Sequence, residues 1–170
     1  MNGSFRRLLG LAFAAWGIRA VGPEGYGVWA LGTNLLAAVT IQAGLRLDPW
    51  PMGLWILAVG FFWDATTFSA LGHHALVMGL IALTVRTQRG WWMVASVGEQ
   101  IAGAILASVA FFVLDRVLHE LEVRSWAWPF SLSVALVVTG GLNGLVSWAM
   151  GTWLGRKPSR VRSYHAGGGR

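Results

Sequence analysis

Cysteine is absent from the chain, which excludes disulfides, thiolate metal sites and a cysteine nucleophile. Charge is scarce: Asp, Glu, Lys and Arg make up 12% of the residues, against about 25% in an ordinary soluble domain. Acidic residues are the scarcer sign, seven against 13 basic ones. Long polar segments between apolar runs are missing too, so no soluble domain large enough for chemistry is expected. Catalytic signatures are lacking as well: no Gly-x-Ser-x-Gly elbow, no Walker lysine loop and no paired intramembrane aspartates. Neither an enzyme nor a cofactor is therefore expected.

What is present is apolar sequence. Hydrophobic residues make up 55% of the chain, and its mean hydropathy is +0.58. Six spans can be drawn. The first covers 8–21 and the second 26–45, with Pro23 and Gly25 breaking the chain between them. The third follows Asp48, Pro49, Trp50 and Pro51 and ends near 67; the fourth covers 71–85. The fifth covers 91–118 and the sixth 128–154. A span of 20 residues at 1.5 Å rise matches the hydrocarbon core, about 30 Å thick. A signal peptide at the N-terminus, with Arg6 and Arg7 before an apolar stretch, is outweighed by the five spans that follow. The expected fold is all-α. Residues 1–154 form one compact six-helix transmembrane domain, and 155–170 form a basic, disordered cytoplasmic tail.

Six spans place both termini on one side, and the basic residues follow. Ten of the 13 fall there: Arg6, Arg7, Arg46, Arg86, Arg89, Arg156, Lys157, Arg160, Arg162 and Arg170. Arg19, Arg116 and Arg124 fall on the other side. The positive-inside rule puts the basic side in the cytoplasm. The pI near 11.3 then reflects membrane topology, and nucleic acid is not an expected partner. Trp50, Trp91, Trp92, Trp126, Trp128 and Trp153 stand at span ends, the depth that anchors tryptophan at the lipid interface.

Helices in lipid associate through close backbone approach and polar contacts. Gly140, Gly144, Ser147 and Gly151 give the last span one small-residue face. Ser96, Gln100, Gly103, Ala107 and Ala110 give the fifth span another, and Gly27, Ala30, Asn34, Ala37 and Ile41 form a third stripe on the second span. These faces predict packing within the bundle or a partner interface. Asn34 and Asn143 are expected to cross-link helices.

Ionisable groups inside spans are costly and therefore informative. Asp64 is expected near the outer interface, paired with Arg19 or capping the helical hairpin. Glu99, beside Gln100, falls about two turns into the fifth span. Three readings stay open for it: a protonated acid bonded within the bundle, the lining of a polar pocket, or a partner contact. His73 and His74 open the fourth span. Adjacent residues point about 100° apart on a helix, and no third ligand is evident, so no metal is expected.

The segment Gly60, Phe61, Phe62, Trp63, Asp64, followed by Ser69, Ala70, Leu71, Gly72, His73, His74, Ala75 and Leu76, resembles the rod shape-determining MreD family. That family carries G-L-x-x-D at the end of one span and P-L-G-x-x-A-L at the start of the next. Gly60 and Asp64 match the first element; Leu71, Gly72, Ala75 and Leu76 match the second. Pro23 and Glu24 resemble the family's P-D before the second span. Ala70 stands where the family usually has proline, and His73 and His74 are not its commonest filling. The resemblance implies a non-catalytic inner-membrane subunit of the bacterial elongation machinery. Its expected partner is an MreC-like bitopic protein, and through it the actin-like MreB and the peptidoglycan glycosyltransferase/transpeptidase pair. The family also resembles the six-helix substrate-binding subunits of energy-coupling-factor vitamin transporters, the alternative reading. That reading calls for an outward pocket lined by Trp16, Trp63, Asp64 and His73. Under the leading reading, Gly72 permits a tight hairpin and Asp64 caps the fourth span.

Overall fold

The computed structural model describes residues 3–21, 26–67, 69–123 and 130–155. Side chains at 19, 21, 26–34, 122, 123, 130–133, 135 and 136 lie outside the description, so the expectations for Arg19 and Asn34 do too. The proposed tail from 156 onward also lies outside it, as do Arg124, Trp126 and Trp128.

Every described element is a helix. They are α1 (Gly3–Val21), α2 (Tyr26–Arg46), α3 (Pro49–Thr67), α4 (His73–Thr87), α5 (Arg89–Val94), α6 (Val97–Val123) and α7 (Phe130–Trp153). Long runs of Leu, Ala, Val and Phe favour helix, and the breaks fall at local signals. Pro49 and Pro51 stand in the first turn of α3, where a missing N–H costs nothing. Gly72 (φ 98°) and Gly155 (φ 82°) adopt the left-handed backbone that glycine tolerates.

The expected fifth span is in fact two helices. α5 stops at Ala95, which is extended (φ −64°, ψ 143°), and α6 starts afresh at Val97. Ser96 and Glu99 cause the restart. The Ser96 N–H donates to Glu99 Oε2 at 2.6 Å, and the Glu99 N–H donates to Ser96 Oγ at 3.4 Å. This reciprocal pair is a capping box with the spacing Ser-x-x-Glu. Gln100 holds the corner closed, donating to the Trp92 and Ala95 carbonyls at 3.3 and 3.0 Å.

α2 is the centre of the bundle. It packs beside α1, α3, α4, α6 and α7, while α1 meets α3, α3 meets α4, α4 meets α6, and α6 meets α7. Residues 36–44 are therefore buried without a break. Gly44 lets α4 approach: a Cβ there would stand 2.7 Å from the Ala82 carbonyl oxygen. The partner helices keep apolar stripes on their outer faces, such as Leu54, Leu57 and Phe61 on α3 and Leu76, Leu80 and Leu83 on α4. Among the described residues one helical stretch, Val97–Leu121, is long and apolar enough to cross a membrane, and most of it is not buried inside the protein.

The glycine face of α7 packs within the bundle. Side chains at 140 and 144 would run into Ile105 and Val109 of α6, and one at 151 would meet the Gln42 amide of α2. Ser147 accepts from that same amide, through its carbonyl at 2.9 Å and its hydroxyl at 3.3 Å. One stripe thus serves two neighbours. On α6 the buried face runs through Ala104, Ser108 and Phe111, offset from the expected small-residue stripe, whose Ser96 and Ala110 are exposed. Gly103 instead lies under the rings of Trp91 and Trp92.

Candidate functional site

The segment from Gly60 to Ala75 folds as one unit. α3 and α4 cross at Gly60, where a Cβ would stand 2.5 Å from Ala75 Cα and 2.7 Å from Ala75 Cβ. Only hydrogen at position 60 permits that approach. One helical turn later, Asp64 points at the start of α4. Its Oδ2 accepts from the Gly72 N–H at 2.7 Å. Its Oδ1 accepts from the His74 N–H at 2.9 Å and from the Ser69 hydroxyl at 3.1 Å. The hairpin cap expected of Asp64 is thus present. A carboxylate from the preceding helix satisfies amide donors that open α4 and faces the positive end of its dipole.

The two histidines extend this cap towards α6. His74 Nδ1 lies 2.7 Å from Asp64 Oδ1, and its Nε2 lies 3.8 Å from Asp115 Oδ1. His73 Nε2 lies 3.0 Å from the same Asp115 oxygen. The rings differ in direction, as adjacent helical residues must, yet both turn towards Asp115; their centroids are 5.0 Å apart. No group of three or more His, Cys, Asp or Glu among the described residues is arranged to hold a metal. The cluster instead ties α3, α4 and α6 together, with Asp64 and both histidines buried. Farther along α6, Arg116 pairs with Glu120 one turn on.

The other expected site residues are scattered. Leu71 projects outward, 79% exposed, and Ala75 is buried against α3. Glu99 is exposed in the first turn of α6, so it is neither two turns deep nor bonded inside the bundle; its carboxylate caps its own helix. Asn143 donates to Thr139 of its own helix at 2.9 Å rather than cross-linking two helices. Trp63 and Asp64 are closely packed core groups, and Trp16 stacks edge-on against Phe62 with centroids 5.3 Å apart. Among the described residues a cavity is present, and none of the residues expected to line an outward pocket contributes to its wall.

That cavity lies at the opposite end. Gln42, Arg46, Arg89, Trp92, Gln100 and Trp148 contribute to its wall. Arg46 crosses from α2 to the end of α7, donating to the carbonyls of Gly151 and Gly155 at 2.6 Å each and of Leu154 at 3.4 Å. Its Nε donates to Gln42 Oε1 at 2.9 Å, which orients the fork. Arg86 likewise donates to the Leu47 carbonyl beyond the end of α2. Two of the basic residues expected on one side of a membrane, Arg46 and Arg86, thus close helix C-termini, where cations are favoured. Gln42 was not singled out by sequence reasoning. Its signal is its spacing, a long amide one turn before an arginine at a helix end.

No family model matches this chain, and no characterised protein or solved structure matches it either.

Proposed function

We propose that the chain is a six-span subunit of the bacterial cytoplasmic membrane, with both termini in the cytoplasm. There it serves as a non-catalytic scaffold of the cell-elongation, rod-shape and peptidoglycan-synthesis complex, binding an MreC-like bitopic partner. The observation that carries this reading is the α3–α4 hairpin. Gly60, Asp64, Gly72 and Ala75, in which the resemblance to the MreD family lies, are the residues that bring the two helices together and cap the second. Their common role is to set the shape of one rim. Leu71 and Leu76, from the same segment, stand 79% and 51% exposed and offer a partner apolar surface there.

Support for the membrane reading comes from the outward stripes of leucine and phenylalanine, which a water-soluble surface rarely carries in such number. Polar bonding also concentrates at the two ends, around Asp64 and around Arg46. Trp50 and Trp153 are exposed at helix ends, as interfacial anchors should be. α4 is the shortest of the long helices, 15 residues or ~22 Å. Its polar flanks then require a locally thinner bilayer or the neighbours' longer helices around it.

Coexpression tests the function. The chain is purified in mild detergent with an MreC-like bitopic protein, and separately with the energising module of a vitamin transporter. Retention of the first, lost on Leu71→Glu with Leu76→Glu, supports the scaffold. Retention of the transporter module in its place overturns it. Topology has its own test, clean because the chain has no cysteine. Leu71→Cys should react with an impermeant maleimide from outside the cell, and Gln88→Cys only after permeabilisation. The reverse pattern, or labelling of both from one side, rejects the six-span arrangement.

A further inference from the structure

The cavity at the basic end has no part in the scaffold reading. Its volume is about 540 Å³, and two arginines, Arg46 and Arg89, contribute to its wall without any Asp or Glu. The Arg46 guanidinium is held by neutral acceptors: an amide oxygen and three carbonyls. Its position is fixed, yet none of those partners is a carboxylate. Two like charges in a partly enclosed wall favour an anion, because each cation loses water there. Trp92 and Trp148 also line the space, and their indole N–H groups make no hydrogen bond among the described residues. The remaining wall mixes apolar Leu45, Met93 and Val97 with polar Gln42, Gln100 and Ser147.

We propose that this cavity binds a phosphate-bearing anion, with Arg46 and Arg89 facing the phosphate and the tryptophans against the carbon chain attached to it. A tetrahedral oxyanion carries charge and acceptor oxygens enough to answer both cations, Arg89 and Arg46, the latter through its charge and the one N–H not donated to Gln42, Gly151, Leu154 or Gly155. The volume suits a headgroup with a short stem. Two sources carry this chemistry: an acidic phospholipid of the adjoining leaflet, or a soluble phosphate ester. The two tryptophans and the apolar side of the wall favour the lipid.

The full-length chain in detergent is titrated with three probes: dioleoylphosphatidylglycerol, dioleoylphosphatidylcholine and glycerol 3-phosphate. Bound probe is read by native mass spectrometry, and no partner protein is present, so the scaffold reading stands or falls separately. Arg89→Gln removes one charge from the wall. Arg86→Gln removes a charge at the same end but outside the wall. Thr152→Trp fills the cavity from an exposed wall position. The expected result is saturable phosphatidylglycerol binding, weakened about tenfold or more by Arg89→Gln. Thr152→Trp should weaken it similarly with melting unchanged, and Arg86→Gln should leave it intact. Phosphatidylcholine should not compete. Glycerol 3-phosphate binding with the same dependence on Arg89 assigns the site to a soluble ester and keeps the phosphate assignment. The proposal is overturned if both phospholipids bind alike, if both arginine variants weaken binding equally, if Arg89→Gln and Thr152→Trp leave binding unchanged, or if no probe binds.

Discussion

Asp64 and Gly72, eight residues apart, are joined by a 2.7 Å hydrogen bond from the glycine N–H to the aspartate Oδ2. The bond closes the turn between α3 and α4 while Gly72 sits at φ 98°. Asp64 is 1% exposed, so the amide donors it satisfies are shielded from bulk water.

Asp64→Ala should therefore lower stability by about 2 kcal/mol or more, from a lost cap and from amide donors left buried. Asp64→Asn keeps the shape and one acceptor oxygen and should cost less. Thermal melting in detergent checks the order. Equal melting temperatures for wild type and Asp64→Ala would remove the capping role.

Gly60→Ala should cost about 1–3 kcal/mol, because the new methyl group meets Ala75 backbone and side chain together. Adding Ala75→Gly removes the Cβ at 2.7 Å but leaves Cα at 2.5 Å from the new methyl position. Rescue by the double variant should accordingly be partial. Full rescue, or none, would mean that the helices yield in some other way.

Arg46→Lys should loosen the end of α7. A single ammonium cannot reach the carbonyls of Gly151, Leu154 and Gly155 while also meeting Gln42. The expected loss is about 1.5–3 kcal/mol, typical of bonds to a charged group. Hydrogen exchange should rise in the last turns of α7 and not at the α3–α4 turn. A uniform rise across the protein would contradict a local clamp.

Ser96→Ala and Glu99→Ala should each release the first turn of α6, and the two together should do little more than either alone, since each group caps the other's amide. Exchange rates of the amides from Ser96 to Gln100 give the comparison. Additive effects would show two independent contacts instead of one box.

The sequence by itself determined the helical class and most helix ends. Apolar runs of this length admit little besides helix, and Pro49, Pro51 and Gly72 mark boundaries by backbone geometry alone. The cap by Asp64 was legible because it joins residues close in sequence, across a turn with room for few other partners. The break at Ala95 was legible in principle, in the spacing of Ser96 and Glu99. It was obscured because apolar Trp91–Val94 runs straight into the α6 pattern, so hydropathy alone joins the two helices. Only the tertiary structure decided the rest. It put α2 at the centre, brought Asp115 to His73 and His74 across more than forty residues (42 for the first of them), and carried Arg46 to α7 across more than a hundred, 109 to Gly155. Such pairings depend on the order of helices round the bundle. In a chain whose helices are apolar on nearly every face, hydropathy gives no direction, so that order is chosen by where glycine permits close approach and where a buried polar group finds its partner.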